Sequence, residues 1–215
     1  MKMSNQTLFC PGIPGAGKTI LASIVIDNLL TRYKDDTVVG VAYIYCNFQR
    51  YDEQNLEGLL AGLVKELARQ QSSMPASVNE LYNRYAKNRM RPSTDEISRT
   101  LHSVATSFSR LFLIIDALDE CQMTDRSKFL SEVFSLQAKT KANIFATSRP
   151  SLDLERKFKD CISLEILASD EDVRRYLDGH MSRLLPFVSR RPDLQDEIKT
   201  EIGRAVKGMY ERCLH

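Results

Sequence analysis

Apolar and polar positions follow two different periods along this chain. Gln6 to Cys10 is a short strand-like run that ends at Pro11-Gly12, and the apolar-rich stretch from Thr19 to Tyr33 has the length of a helix. Val38 to Phe48 (VVGVAYIYCNF) is β-branched and aromatic and predicts a strand. Leu56, Leu59, Leu60, Leu63, Val64 and Leu67 then recur at steps of three and four, the spacing of one helix face. Ser77 to Asn88 predicts another helix. Pro92 followed by Ser93-x-x-Glu96 has the form of a capping box, opening a helix whose buried stripe is Ile97, Leu101, Val104 and Phe108. Leu111 to Ile115 is unbroken apolar sequence, which suits a parallel strand covered on both faces. Phe129, Leu130, Val133, Phe134 and Leu136 mark the next helix, and Asn143 to Thr147 and Ile162 to Ile166 read as strands.

Because each strand is joined to the next by a segment of helical length, the pattern predicts an α/β fold with a doubly wound parallel sheet. After Ser169 no further strand is predicted. Ser169-x-x-Asp172 has the form of a cap for a helix carrying Val173, Tyr176 and Leu177, and Leu194, Ile198, Ile202, Ala205, Val206 and Met209 mark a second helix. Pro186 and Pro192 are expected to break this region. The expected division is a core over 1–167 and a helical extension over 168–215.

Length and composition narrow the class. With 215 residues, 43% hydrophobic and 27% charged, the chain has the makings of one globular domain and not of a disordered one. Thirty Lys and Arg against 28 Asp and Glu leave a net charge of +2, too balanced for a chain that coats nucleic acid or an acidic membrane. The basic stretch Arg84, Lys87, Arg89 and Arg91 reads as a solvated helix end. No apolar run approaches the roughly 20 residues of a membrane span, and MKMSNQTLFC has no signal-peptide layout, so a cytoplasmic protein is expected. Cys10, Cys46, Cys121, Cys161 and Cys213 are widely spaced, without a CxxC or Cys/His frame, and reduced thiols are expected.

The chemistry begins at Gly12-Ile13-Pro14-Gly15-Ala16-Gly17-Lys18-Thr19, followed by Ile20. This is G-x-x-x-x-G-K-[ST] between a predicted strand and helix, a phosphate-binding loop. Its glycines let backbone N–H groups wrap an anion at the positive end of a helix. Lys18 would reach the terminal phosphates, and the Thr19 hydroxyl would serve as a magnesium ligand. Leu111-Phe112-Leu113-Ile114-Ile115-Asp116 is a buried strand ending in a carboxylate, placed to meet that metal. Asp119 and Glu120 follow at the same strand end; either suits orientation or deprotonation of an attacking water. A third strand ends in Thr147-Ser148-Arg149-Pro150, where Arg149 is placed to sense a γ-phosphate.

These residues resemble the NACHT class of STAND-type P-loop NTPases, especially fungal proteins that join such a module to ankyrin or other repeats. The resemblance rests on CPGIPGAGKTILAS (Cys10 to Ser23), VAYIYCNF with its Leu-rich helix (Val41 to Leu67), LFLIIDALDEC (Leu111 to Cys121) and ATSRP (Ala146 to Pro150). It implies a three-layer α/β/α sandwich with a five-stranded parallel sheet, the Arg149 strand lying between the loop strand and the Asp116 strand. It also implies a slow ATPase, or occasionally a GTPase, that self-associates when triphosphate replaces diphosphate. The roles implied are phosphate and nucleotide contact for Gly12 to Ile20, metal for Thr19 and Asp116, water activation for Asp119 or Glu120, and sensing for Arg149.

Relatives of this kind continue into a winged-helix domain and repeats and carry effector domains, so a module truncated before its winged helix is expected. His215 does not match the winged-helix histidine. No [NT]-K-x-D guanine-reading motif occurs, Thr140-Lys141-Ala142-Asn143 being the nearest sequence, and ATP is favoured over GTP. Two other classes stay open: a nucleotide-held module without turnover, and a phosphotransferase with Arg174, Arg175, Arg183, Arg190 and Arg191 as a lid.

Overall fold

A computed structural model describes residues 6–50, 54–86, 91–167, 170–180, 186–189 and 191–213. The apolar runs become strands β1 (Thr7–Pro11), β2 (Val39–Tyr45), β3 (Arg110–Asp116), β4 (Asn143–Ser148) and β5 (Ile162–Ser163). They form one five-stranded sheet in the order β2-β3-β4-β1-β5, with every pairing parallel. As expected, β4 separates the loop strand from the Asp116 strand. Leu111, Leu113, Ile114 and Ile115 of β3 are each exposed by 1% or less, which explains why that strand shows no alternation.

The strand expected over Ile162 to Ile166 is only two residues long. It pairs with β1 alone, at the sheet edge, and Ile162 and Leu164 are more than half exposed, at 56% and 54%. Without a second neighbour, the ladder has nothing to extend it. At the opposite edge, β2 ends at Tyr45 and not at Phe48, because the chain turns through a 3-10 turn at Phe48–Arg50. The open side of β2 is covered by two glutamines. Gln70 accepts from the Val41 N–H at 2.8 Å and donates to the Val41 carbonyl at 2.6 Å. Gln54 does the same for the Asn47 N–H and the Tyr45 carbonyl at 2.7 and 2.9 Å. Side-chain amides thus stand in for a missing strand and blunt an edge open to foreign pairing.

The helices between these strands and just after β4 are α1 (Lys18–Arg32), α2 (Leu56–Ala68), α3 (Ala76–Ala86), α4 (Thr94–Ala105), α5 (Met123–Thr140) and α6 (Leu152–Lys157). On α2 the predicted stripe is the buried one: Leu59, Leu60, Leu63 and Leu67 are at most 2% exposed, each contributing about 2 kcal/mol by burial. The Ser93 capping box is present in both directions, with the Ser93 N–H donating to Glu96 at 3.1 Å and the Glu96 N–H donating back at 3.4 Å. Phe108 is buried as expected, though it lies past the end of α4. The end of the helix predicted over Ser77 to Asn88 falls partly outside the described residues. α6 was not anticipated, since six residues are too few to show a period. Its Leu154 is fully buried, and Phe158 just after it stacks on Phe9 with ring centroids 4.5 Å apart.

The chain divides into two compact units. The first comprises the residues up to Pro11 together with Lys18–Leu164, and the second comprises Gly12–Gly17 with the residues from Glu165 onward. The second unit contains α7 (Asp170–His180), α8 (Pro186–Ser189) and α9 (Pro192–Cys213). Pro186 and Pro192, expected as breakers, are each the first residue of a helix, where a missing N–H removes no intrahelical bond. The Ser169 cap falls outside the described residues. Lys199 of α9 pairs with Asp178 of α7 at 2.6 Å.

Candidate functional site

β3 delivers Asp116 to the edge where the parallel strands end, and the side chain is only 3% exposed. A carboxylate so buried needs partners. It accepts from the Thr19 hydroxyl at 2.7 Å and from the Thr147 hydroxyl at 2.5 Å. Thr19 stands in the first turn of α1 and Thr147 near the end of β4, so the carboxylate ties one helix and two strands together. Thr147 Oγ1 also accepts from the Ala117 N–H at 3.0 Å.

Ala117 has left-handed backbone angles, φ 56° and ψ 49°, which cost an L-residue about 1 kcal/mol. The bend it makes starts the 3-10 turn Leu118–Glu120, whose Leu118 is fully buried. The anchored turn carries Asp119 and Glu120 to the site. Arg149, just past β4, donates its backbone N–H to Asp119 at 2.8 Å and forms an ion pair through its Nε with the other Asp119 oxygen at 3.2 Å, while its Nη2 stands 3.6 Å from Glu120. Because Arg149 is 52% exposed, each ion pair stabilises by less than about 1 kcal/mol. Their effect is to orient the acids. Glu120 also accepts from the Phe48 N–H at 3.4 Å. Burial pushes the Lys18 ammonium below the usual lysine range, with Arg149 adding to the shift and Asp119, Asp116 and Glu120 opposing it. Lys18 therefore lies in the field of all the charged residues the sequence singled out here.

Beside these groups is a cavity of about 410 Å³, walled by Thr19, Tyr45, Cys46, Gln54, Asp116 and Glu120 among others. Thr19 and Asp116 present adjacent oxygens to it, a donor set of the hard, oxygen-only kind that magnesium uses while keeping most of its waters. Among the described residues, no group of three His, Cys, Asp or Glu could hold a metal by itself, so an ion here would lean on water and ligand oxygens.

In the second unit, the glycine loop shows why its glycines are needed. Gly15 and Gly17 have φ of +80° and +90°, a region that L side chains rarely enter. A Cβ on Gly12 would lie 2.6 Å from the Ile166 carbonyl oxygen. Ala16 donates to the Ile13 carbonyl at 3.2 Å, closing a turn over Pro14. Ile20, on α1, is 68% exposed, which leaves its backbone as the part suited to a ligand at a helix start.

Sequence reasoning singled out Lys18, Thr19, Asp116, Asp119, Glu120 and Arg149, and the structure brings these six into one neighbourhood. It overlooked Thr147 and Ala117. The hydroxyl at the end of the strand before Arg149 was visible, but its partner was not. Of the other candidates, Arg84 pairs with Glu96 at 2.9 Å, Arg175 with Glu171 at 3.0 Å and Arg191 with Asp193 at 2.5 Å. Lys87, Arg89, Arg183, Arg190 and His215 are outside the described residues. His102 lies on α4, where burial lowers its pKa. Among the described residues, no helix is long and apolar enough to cross a membrane.

Residues 1–149 match the family described as nephrocystin 3, N-terminal. The chain belongs to that family. The match ends at Arg149 and so takes in the glycine loop, Asp116 and the acid turn. No curated protein matches the chain significantly. Among solved structures, the chain is similar to the Aeropyrum pernix Orc1 protein in complex with DNA, at 14% identity and a TM-score of 0.53 over 83% of this chain and 44% of that one. It also overlays on AMPPCP-bound DnaA from Aquifex aeolicus, at 14% identity and a TM-score of 0.47 over 95% of this chain and 54% of that one. The chain thus spans about half the length of these structures or less. The fold of this family member is that of a P-loop NTPase.

Proposed function

We propose that this chain binds a nucleoside triphosphate with magnesium and hydrolyses it slowly, as a conformational switch of the NACHT type. The observation that carries the reading is the buried Asp116 carboxylate, held by the Thr19 and Thr147 hydroxyls at 2.7 and 2.5 Å at the start of the helix that follows a phosphate-loop sequence. In this reading Gly12 to Thr19 wrap the phosphates, with Ile20 contributing backbone, and Lys18 adds a point charge at the terminal phosphate. Thr19 and Asp116 hold the magnesium, which when bound neutralises charge on the β- and γ-phosphates.

Asp119 or Glu120 takes a proton from the attacking water. Both acids are paired with Arg149 here, so a γ-phosphate that attracts Arg149 would free them. Binding, activation of water and sensing then share one exchange of partners. The same ion pairs favour the second reading, a nucleotide-held module in which the acids stay neutralised and turnover is negligible. ATP is preferred because no guanine-reading motif is present, and self-association of triphosphate-bound chains would transmit the state. The experiment is calorimetric titration with ATP and with GTP, with and without magnesium, followed by a phosphate-release assay. Lys18→Ala should lose triphosphate binding; unchanged affinity in that variant sinks the assignment.

A further inference from the structure

A second pair of reactive groups lies against the site and is unused by the mechanism above. Cys46 directly follows β2, and Cys121 directly follows the acid turn. They are 75 positions apart in sequence, yet their sulfurs are 2.7 Å apart, with the Cys121 thiol donating to Cys46. Both residues are buried, at 5% and 6% exposure. Their backbones are fixed independently: the Cys46 N–H donates to the Asp116 carbonyl at 3.0 Å, and the Cys121 N–H to the Leu118 carbonyl at 3.3 Å. Two thiols held in contact by two anchored segments can be joined with little rearrangement of the backbone, which is the usual obstacle to a cross-link. Cys46 is also part of the wall of the 410 Å³ cavity beside Asp116, the side from which a small oxidant would come. Cys10, Cys46, Cys121 and Cys161 are free thiols.

We infer that Cys46 and Cys121 are an oxidation site, a dithiol that closes reversibly to a disulfide between the end of β2 and the acid turn, and that closure restrains the turn bearing Asp119 and Glu120. The oxidant is a hydroperoxide small enough for the cavity. One thiol, as its thiolate, attacks the peroxide oxygen and becomes a sulfenic acid as the O–O bond breaks and water leaves. The second thiol attacks that sulfur, the S–O bond breaks, and the hydroxide released takes a proton to give a second water. Two thiols and one hydrogen peroxide thus give one disulfide and two waters. A reducing dithiol reverses the bond by exchange.

The restraint has a defined target. Cys121 is bonded to Glu120, and once a γ-phosphate has drawn Arg149 away, settling Glu120 or Asp119 on a water calls for a shift of the turn that carries them. A covalent tie at its end opposes that shift, so the closed form hydrolyses more slowly. This consequence rests on the proposed nucleotide turnover, whereas formation of the disulfide does not.

The test is carried out on the whole chain. Reduced protein is treated with hydrogen peroxide, the remaining thiols are alkylated, and the non-reduced digest is read by mass spectrometry. A Cys46–Cys121 cross-linked peptide that disappears with dithiothreitol is expected, with Cys10 and Cys161 still alkylated. Recovery of Cys46 and Cys121 as alkylated monomers, or of disulfides to other cysteines or between chains, overturns the site. Cys121→Ser and Cys46→Ala, each checked for folding by circular dichroism, should both abolish the cross-link. If both variants misfold, the digest of the unmodified chain still decides. For the consequence, phosphate release by oxidised chain should fall several-fold and return on reduction, with no response in the folded cysteine variant. Equal rates in the two states overturn the restraint. A reduced chain that binds no nucleotide overturns the proposed function and leaves the cross-link result standing.

Discussion

Replacing Thr147 by Val keeps the shape of the side chain and deletes only its hydroxyl. Two bonds go with it: the 2.5 Å bond given to Asp116 and the 3.0 Å bond accepted from the Ala117 N–H. Thr147 is fully buried and Asp116 is 3% exposed, so water does not readily replace either. A hydrogen bond to a charged group is worth about 1.5–3 kcal/mol, and a buried N–H left without an acceptor costs about 1–3 kcal/mol. Thr147→Val should therefore destabilise by about 3 kcal/mol, while Thr147→Ser, which retains the hydroxyl, should lose only about 1 kcal/mol for the missing methyl. Urea unfolding of the three proteins, compared at a common m-value, measures both differences. A Val variant within about 0.5 kcal/mol of the parent, or a Ser variant as damaged as Val, would falsify the claim that the hydroxyl holds the site together. Loss of the Ala117 anchor should also loosen the acid turn, and amide exchange over 117–121 should quicken in Val alone.

Three further outcomes are expected. Glu120→Gln and Asp119→Asn, made separately, should keep nucleotide binding while at least one slows phosphate release by about 100-fold or more, the scale of a lost general base; if neither slows, water activation lies elsewhere. The Tyr85 hydroxyl and the Ser93 N–H hold the Glu96 carboxyl down at about 2, so its contribution to stability is complete above the unfolded carboxylate range near 4.3 and is lost as pH falls through about 2. Glu96→Gln should accordingly flatten that part of the acid denaturation profile, and an unchanged profile would discount these hydrogen bonds as its source. Lys141 ends α5 with φ of 57°, so Lys141→Gly should raise stability by about 1 kcal/mol in thermal or urea melts; a loss there would mean that Lys141 gains more from its side chain than it gives up in strain.

Apolar runs and periods predicted β1 to β4, α2 and α5, and with the Ser93 capping box α4, because each buries enough apolar surface along one face or run to leave its spacing in the sequence; α1 was predicted from its length and apolar content, though only its Ala22 and Ile26 are buried. The glycine loop, Asp116, the acid pair and Arg149 were legible for a related reason: chemistry at a strand end is written in adjacent residues. What was misread was short or depended on neighbours. β5 lost three of its expected residues because an edge strand is only as long as its one partner allows. Pro186 and Pro192 do mark breaks in the helical extension, each by opening a new helix, since the same missing N–H that stops a helix interior is harmless at its first residue. α6 left no period at all. Tertiary structure alone could pair Thr19 with Asp116 across 97 positions and Thr147 with Asp116 across 31, and Cys121 with Cys46 across 75. A sequence displays which groups stand at each strand end. Which of them meet is fixed only when parallel strands bring those ends to one edge, where burial makes each polar group find a partner.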